Sequence, residues 1–315
     1  MKTISKILTL FLAISLFISC DDDDPVVETN TIVDVAVKNN LSSLVTAVTR
    51  TDLAETLSGN GSFTVLAPTN EAFDTFLQNK GFASVNDVPM AVLRNILLNH
   101  VITGSLKSTD LSTGYANTNA ISAASNTNMS IYIDTSNGVK FNGVANVDIA
   151  NVEADNGVVH VIDEVIDLPT VVTFAVADDN FSILEQALTR ESSFTYVTTL
   201  STDSGTNPAP FTVFAPTNTA FANLLTELNV QGLSDIATAT LISTLNTHVV
   251  PGANVLEGAL TDNMPVTTLG GGLTVNLTAT GATLTDSQSR VSKIEATDVQ
   301  ANNGVIHVID RVVLE

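Results

Sequence analysis

FTVLAPTNEAF at residues 63–73 returns as FTVFAPTNTAF at residues 211–221, identical at nine of eleven positions. NGVVHVIDEV at 156–165 returns as NGVIHVIDRV at 303–312, identical at eight of ten. A shorter echo lies between them, NHV at 99–101 and THV at 247–249. Phe63 and Phe211 stand 148 residues apart, as do His100 and His248, while His160 and His307 stand 147 apart. Phrases recurring in one order at one spacing mean a single domain present twice. The period is too long for a solenoid unit, so each copy must hold its own core.

Length and composition agree. The chain has 315 residues, which suits two domains of about 100–200 residues each. Hydrophobic residues make up 44%, enough for two packed cores. There are 33 acidic residues against 12 basic ones, a net charge of −21. That balance repels a phosphate backbone and argues against nucleic acid as a partner. Tryptophan is absent and aromatic residues are few, which weakens a reading as a stacking platform for sugars or bases.

Each copy reads as helices first and strands second. Leu41, Leu44, Val45 and Val48 recur at helical spacing, as do Phe181, Leu184, Ala187 and Leu188. Those helices are offset by 140 rather than 148, and the polar stretch Ser201 to Pro210 is expected to hold all eight extra residues as a loop. Phe63, Val65 and Ala67 alternate as a buried strand before Pro68. Asn70 and Asn218 are expected to cap the helices that follow. Asp87 with Pro89 is expected to open the helix that ends at His100. MSIYIDT at 129–135 and LTVNLTAT at 273–280 alternate with period two, and Asn-Gly at 156–157 and 303–304 marks turns into the last strands. The class is α+β, with helices segregated from a sheet.

With those residues in view, FTVxAPTNxAF, a helical His and NGVxHVID resemble the fasciclin domain, here twice over residues 31–168 and 171–315. The resemblance implies two tandem fasciclin-like domains, each a twisted β-wedge with a helical cluster. It implies an extracellular or cell-surface protein used in adhesion and binding, with no catalytic mechanism. In animal matrix members an Asp-Ile pair and a Tyr-His pair are linked to integrin binding. The first pair falls on Asn151-Val152 and Asp298-Val299, so only the second copy keeps the acid. The second falls on Asn99-His100 and Thr247-His248, where Tyr is missing. The candidate adhesion residues are thus Asp298, Val299, His248, Asn151, Val152 and His100, and integrin itself is a poor fit.

The N-terminus carries its own signal. Lys2 and Lys6 precede an apolar run from Ile7 to Ile18, too short for a comfortable membrane span and suited to a signal peptide over residues 1–19. Cys20, the only cysteine, follows directly and resembles the lipidated first residue of a bacterial lipoprotein. Asp21 to Asp24 open an acidic tether reaching residue 30. Acids at this place resemble the surface-export signal of Bacteroidetes lipoproteins, and they equally suit a solvated spacer. The location expected is the outer membrane, held by lipid, on the outer surface or facing the periplasm.

Catalytic patterns are scarce. No Ser sits in a nucleophile-elbow pattern, and Gly270 to Gly272 lacks the Lys and helix of a phosphate loop. The four histidines, His100, His160, His248 and His307, read as buried groups bonded to backbone rather than metal ligands. Asp163 and Asp310, three places after a strand His, face away from it. The sequence indicates no enzyme, no metal and no cofactor. Its leading reading is a binding or adhesion lipoprotein attaching to extracellular matrix, a cell-surface protein or a glycan. The alternative is a glycan- or small-molecule-binding accessory of an outer-membrane uptake system.

Overall fold

The computed structural model describes residues 29–315. Cys20 and the segments on either side of it lie outside those residues. Domain one runs α1 (Ile32–Lys38), α2 (Ser42–Arg50), α3 (Ala54–Ser58), β1 (Phe63–Pro68), α4 (Asn70–Lys80) and α5 (Met90–Asn99), then β2 (Val101–Thr103), β3 (Gly114–Ile121), β4 (Asn128–Asp134), β5 (Lys140–Phe141), β6 (Ala145–Ala154) and β7 (Gly157–Ile162). Domain two repeats this order with α6 (Val171–Ala177), α7 (Ser182–Thr189), α8 (Tyr196–Leu200), β8 (Phe211–Pro216), α9 (Asn218–Glu227), α10 (Thr238–Thr247), β9 (Val249–Pro251), β10 (Met264–Thr267), β11 (Gly272–Thr278), β12 (Gly281–Thr285), β13 (Val291–Gln300) and β14 (Gly304–Ile309).

The two quoted phrases pair with each other. β1 runs parallel to β7 from Phe63 opposite Gly157 to Pro68 opposite Ile162, and β8 runs parallel to β14 in the same register. The other pairings are antiparallel. In domain one the strands close into a barrel, through a single β2–β3 pair, Ile102 opposite Thr118. In domain two the sheet stays open between β9 and β10, and the loop after β10 reaches across with Leu269 N–H to Val249 O at 2.8 Å.

Strand periodicity divides each domain into two cores. Val65 and Ala67 of β1, with Val159 and Val161 of β7, face the helical cluster. Leu66 and Ile162 face the strand-built interior with Ile131, Ile133 and Phe141. Domain two repeats the division, with Val213 and Ala215 on the helical side and Phe214 on the other. Both faces of the central pair are therefore dry, as parallel strands require.

Three local expectations are corrected. The caps of α4 and α9 are Thr69 and Thr217, whose hydroxyls accept from the N–H of Ala72 and Ala220 at 3.1 and 3.2 Å. Asn70 and Asn218 are instead the first helical residues, and their amides reach back to the α1–α2 or α6–α7 region. Asn70 accepts from Ser43 N–H at 2.9 Å and donates to Asn40 O; Asn218 accepts from Ile183 N–H at 2.9 Å and donates to Asp179 O. Threonine wins the cap because it occupies the extended position before the helix. Next, α5 starts at Met90, with Pro89 in the capping position and Asp87 in a preceding turn bonded to Ser84 Oγ at 2.8 Å. Last, the extra residues of domain two are split. Leu57 and Leu200 are equivalent, because their carbonyls accept from the amides of Asn156 and Asn303. Arg50 to Leu57 spans fewer residues than Arg190 to Leu200 by three, so the turn before α8 holds three and Ser201 to Pro210 holds five.

The domains pack head to tail. Thr170 caps α6 immediately after Pro169, so the junction is a turn rather than a tether. Tyr115 of β3 donates its hydroxyl to Asp178 Oδ2 at 2.9 Å and sets its ring edge-on to Phe174 of α6, 5.5 Å between centroids. Tyr132 of β4 packs into the core of domain two. Beside them Ser122 Oγ donates to Ala301 O at 2.7 Å, and Gln300 donates from its backbone to Ser130 Oγ at 3.0 Å and from its amide to Ser122 Oγ at 3.0 Å. Burial first, and then the Asp178 charge, push both tyrosine hydroxyls well above their ordinary value, so both stay protonated.

This joint couples the stability of the two domains. Tyr115→Ala removes the hydroxyl bond and the ring contact where the domains meet, a loss of about 2–4 kcal/mol of coupling. Calorimetry is expected to show one transition in the parent chain and two resolved transitions in the variant. A single unshifted transition in the variant would refute the coupling.

Candidate functional site

The edge that the sequence singled out is a bulge in β6 and its counterpart in β13. The register slips between Ile149 and Val152, and between Ala296 and Val299. Asn151 and Asp298 sit in these slips with φ of 62° and 58°. Asn and Asp are the non-glycine residues that best accept left-handed backbone, which accounts for their occurrence here. Each is half-buried and uses its side chain to hold the loop that follows the short strand β2 or β9. Asn151 Oδ1 accepts from Ser108 N–H at 2.8 Å, and its Nδ2 donates to Ser108 Oγ at 2.9 Å. Asp298 Oδ1 accepts from Glu257 N–H at 2.8 Å. Thr297 donates to the Glu257 carboxylate at 2.9 Å, so two acids stand together on the domain-two edge.

The remaining candidates are set further in. Val299 is 4% exposed and belongs to the core of domain two, and Val152 packs against that of domain one. His100 and His248 end α5 and α10 and are buried. No hydrogen bond among the described residues joins either of them to the bulges. At this edge Asp298, Asn151 and Val152 are partly exposed, whereas Val299, His100 and His248 are buried.

The bulge is also tied to a histidine that the adhesion pattern does not include. His160 Nε2–H donates to Leu106 O at 2.9 Å, and its Nδ1 accepts from Asn151 N–H at 3.4 Å. His307 Nε2–H donates to Val255 O at 2.8 Å and stacks on Phe214 at 5.8 Å, while its buried Nδ1 has no partner among the described residues. Burial holds both rings below the ordinary histidine range. Their place in the HVID phrase was visible in sequence. The bond of His160 to its bulge was not, because it depends on the slip in the neighbouring strand. Asp163 and Asp310 bond elsewhere, to Asn146 N–H and Lys293 N–H, both at 2.7 Å. Among the described residues no three His, Cys, Asp or Glu side chains are grouped to hold a metal.

His100 and His248 make the same pair of hydrogen bonds. Nδ1–H donates to the carbonyl four residues back, Ile96 or Thr244, at 2.7 Å in both. Nε2 accepts from a backbone N–H beyond the last strand, Ile166 at 2.9 Å or Val313 at 3.2 Å. Only the neutral ring can accept at Nε2. Burial, foremost, lowers both to about 4. The folded value lies below the unfolded one of about 6.5, so the unfolded chain binds protons first as pH falls. Stability from these rings is full above pH 6.5 and is lost down to about pH 4, roughly 3 kcal/mol for each. Melting temperature is expected to drop across that window. The double variant His100→Gln with His248→Gln is expected to start lower at pH 7 and to show a shallower slope; an equal slope would refute the assignment.

The fasciclin domain family matches residues 39–169 and 179–315. Human periostin is 29% identical over 268 residues, covering 83% of this chain and 29% of periostin. The transforming growth factor-beta-induced protein ig-h3 of Sus scrofa is 31% identical over 260 residues, covering 82% of this chain and 35% of that protein. The chain thus spans about a third of the length of these relatives. A FAS1 domain pair from the insect cell adhesion molecule fasciclin I aligns with a TM-score of 0.48 at 20% identity, over 90% of this chain and 95% of that one. The repeated phrases, their parallel pairing and the doubled match lead to one conclusion: this chain belongs to the fasciclin domain family, with two domains in tandem.

Proposed function

We propose that the chain is a non-enzymatic binding and adhesion protein, held at the outer membrane by lipid on Cys20, whose partner is a matrix component, a cell-surface protein or a glycan. Family membership supports a binding role. The observation that carries the reading is the locked joint. Tyr115, Ser122, Ser130, Asp178 and Gln300 fix the two domains as one body, so the Asn151 and Asp298 edges keep a constant separation. Two contacts at a fixed spacing raise avidity wherever the partner surface repeats. The histidines support it too, since all four rings are engaged by main-chain groups rather than presented to a substrate. Charge sets the kind of partner. At −21 the chain favours neutral or basic surfaces and avoids anionic ones.

The edge in domain two is tested by Asp298→Asn. Asparagine accepts left-handed backbone and keeps the oxygen that holds Glu257, as Asn151 does for Ser108, so the change removes the charge and one acceptor while the backbone tie stays. On an array of matrix proteins and glycans probed with the chain from Asp21 onward, binding at this edge is expected to weaken at least fivefold, with melting temperature unchanged. Full retention of binding by the variant would move the contact off this edge.

The anchor has a separate test. Cys20→Ala is expected to shift the protein from the membrane fraction to the soluble one. Protease treatment of intact cells then separates the outer surface, where the parent chain is cleaved, from the periplasmic face, where it survives. A variant that still fractionates with membranes would exclude Cys20 as the attachment.

A further inference from the structure

The three residues added before α8 build a surface feature that domain one lacks. They extend the turn between α7 and α8 and bring Phe194 and Tyr196 to the surface side of α10, both half-exposed. The two rings meet edge to face, 5.4 Å between centroids and 87° between planes. Tyr196 is tied down by its hydroxyl, which lies 3.0 Å from Asn246 Oδ1 and 3.3 Å from Ile242 O. Between this pair, α10 and Leu269 lies a groove of about 280 Å³. Counting back from the equivalent Leu57 and Leu200, Tyr196 replaces Leu53 and Phe194 replaces Thr51. Both of those domain-one residues are buried, at 1% and 2% exposure, so the first copy presents no aromatic pair at this place.

The chemistry of the lining narrows the occupant. Not one of its residues is acidic or basic, in a chain with 33 acids. Two other open clefts among the described residues are charged. A cleft of about 540 Å³ in domain one is lined by Asp148, Asp163, Glu164 and Asp167 together with Lys80, and one of about 460 Å³ in domain two by Glu227, Asp310 and Arg311. In the uncharged groove, aromatic and aliphatic surface from Phe194, Tyr196, Ile242 and Leu269 alternates with the hydroxyl of Thr199 and the amide of Asn246. Asn246 spends its oxygen on Tyr196, and its Nδ2 donates to none of the described residues. A ligand that fits has one apolar face, a hydroxyl-bearing edge and no charge.

We propose that this groove is a binding site for a neutral saccharide. The C–H face of a pyranose ring packs against one of the two perpendicular aromatic rings, and its hydroxyls pair with the Asn246 amide and the Thr199 hydroxyl. The net charge of the protein excludes acidic sugars. The volume lies just below the usual range of about 300–1,000 Å³ for small-molecule sites, which suits one sugar ring or the end of a glycan rather than a long chain. The site is separate from the Asp298 edge and does not rest on the adhesion reading. It bears on the other role raised from the sequence, that of a glycan-binding accessory.

The test uses the chain from Asp21 onward with methyl glycosides of glucose, galactose, mannose and N-acetylglucosamine, and with their hexasaccharides. Saturation-transfer NMR and calorimetry are the readouts, with a heparin hexasaccharide and an uncharged leucine-rich peptide as comparisons. At least one neutral sugar is expected to bind saturably. Tyr196→Ala and Asn246→Asp are each expected to weaken that binding tenfold or more. The second keeps the oxygen that Tyr196 needs while removing the donor and adding a charge, and a fold that still melts as the parent does places the loss in the groove. Asp298→Asn is expected to leave sugar binding unchanged, which separates this site from the adhesion edge. Silence from every neutral sugar, preference for heparin or the peptide, or binding indifferent to both groove variants would each overturn the proposal.

Discussion

Each domain depends on one parallel contact, between the strand that enters the helical cluster and the last strand of the copy. At its start a side chain on Gly157 would collide with the Phe63 carbonyl, and one on Gly304 with that of Phe211. The preceding asparagine is buried and fastens three segments. Asn156 accepts from Ile32 N–H at 3.0 Å and donates to Leu57 O and Gly59 O; Asn303 accepts from Val171 N–H at 3.0 Å and donates to Leu200 O and Thr202 O. Glycine lets the backbones close, and asparagine satisfies helix ends that the closure buries. The first helix, the third helix and the central strands are thereby registered at one point.

From that point the same logic reaches the functional edge. Parallel pairing places His160 opposite Leu66 and His307 opposite Phe214. Each ring then anchors the loop after the short strand, and the bulge residue beside it anchors the same loop two residues later. The candidate adhesion edge is a by-product of how the strands close, and this is why most of its sequence neighbours are buried. Asparagine in one copy and aspartate in the other satisfy the same backbone, so charge can differ between copies at little structural cost.

The copies share a frame and diverge where the frame permits. Two of the chain's three tyrosines, Tyr115 and Tyr132, serve the joint, and the third, Tyr196, lines the uncharged groove. Positions matching the joint tyrosines in the second domain lie on β11 and the segment before β10, where Asn276 and Asn263 stand instead. The head-to-tail contact is therefore specific to this order of domains, and the free end of domain two does not reproduce the docking face.

Repetition, class and the strand-to-helix order were legible in the sequence, because repeats and hydrophobic periodicity are local properties of the chain. So was the burial of the histidines, from their place within apolar phrases. The Thr-Asn division of labour was not, since both residue types cap helices and only the extended backbone at Thr69 and Thr217 decides between them. The bulges were hidden because a slip in register is a relation between two strands. The insertion was seen in sum but misplaced, because only the paired carbonyls of Leu57 and Leu200 locate its parts. The sequence by itself determined that there are two like domains and what each must bury. Tertiary structure alone decided which of the motif residues reach the surface, how the domains lock, and where an uncharged groove opens, because each of these rests on contacts between segments far apart along the chain.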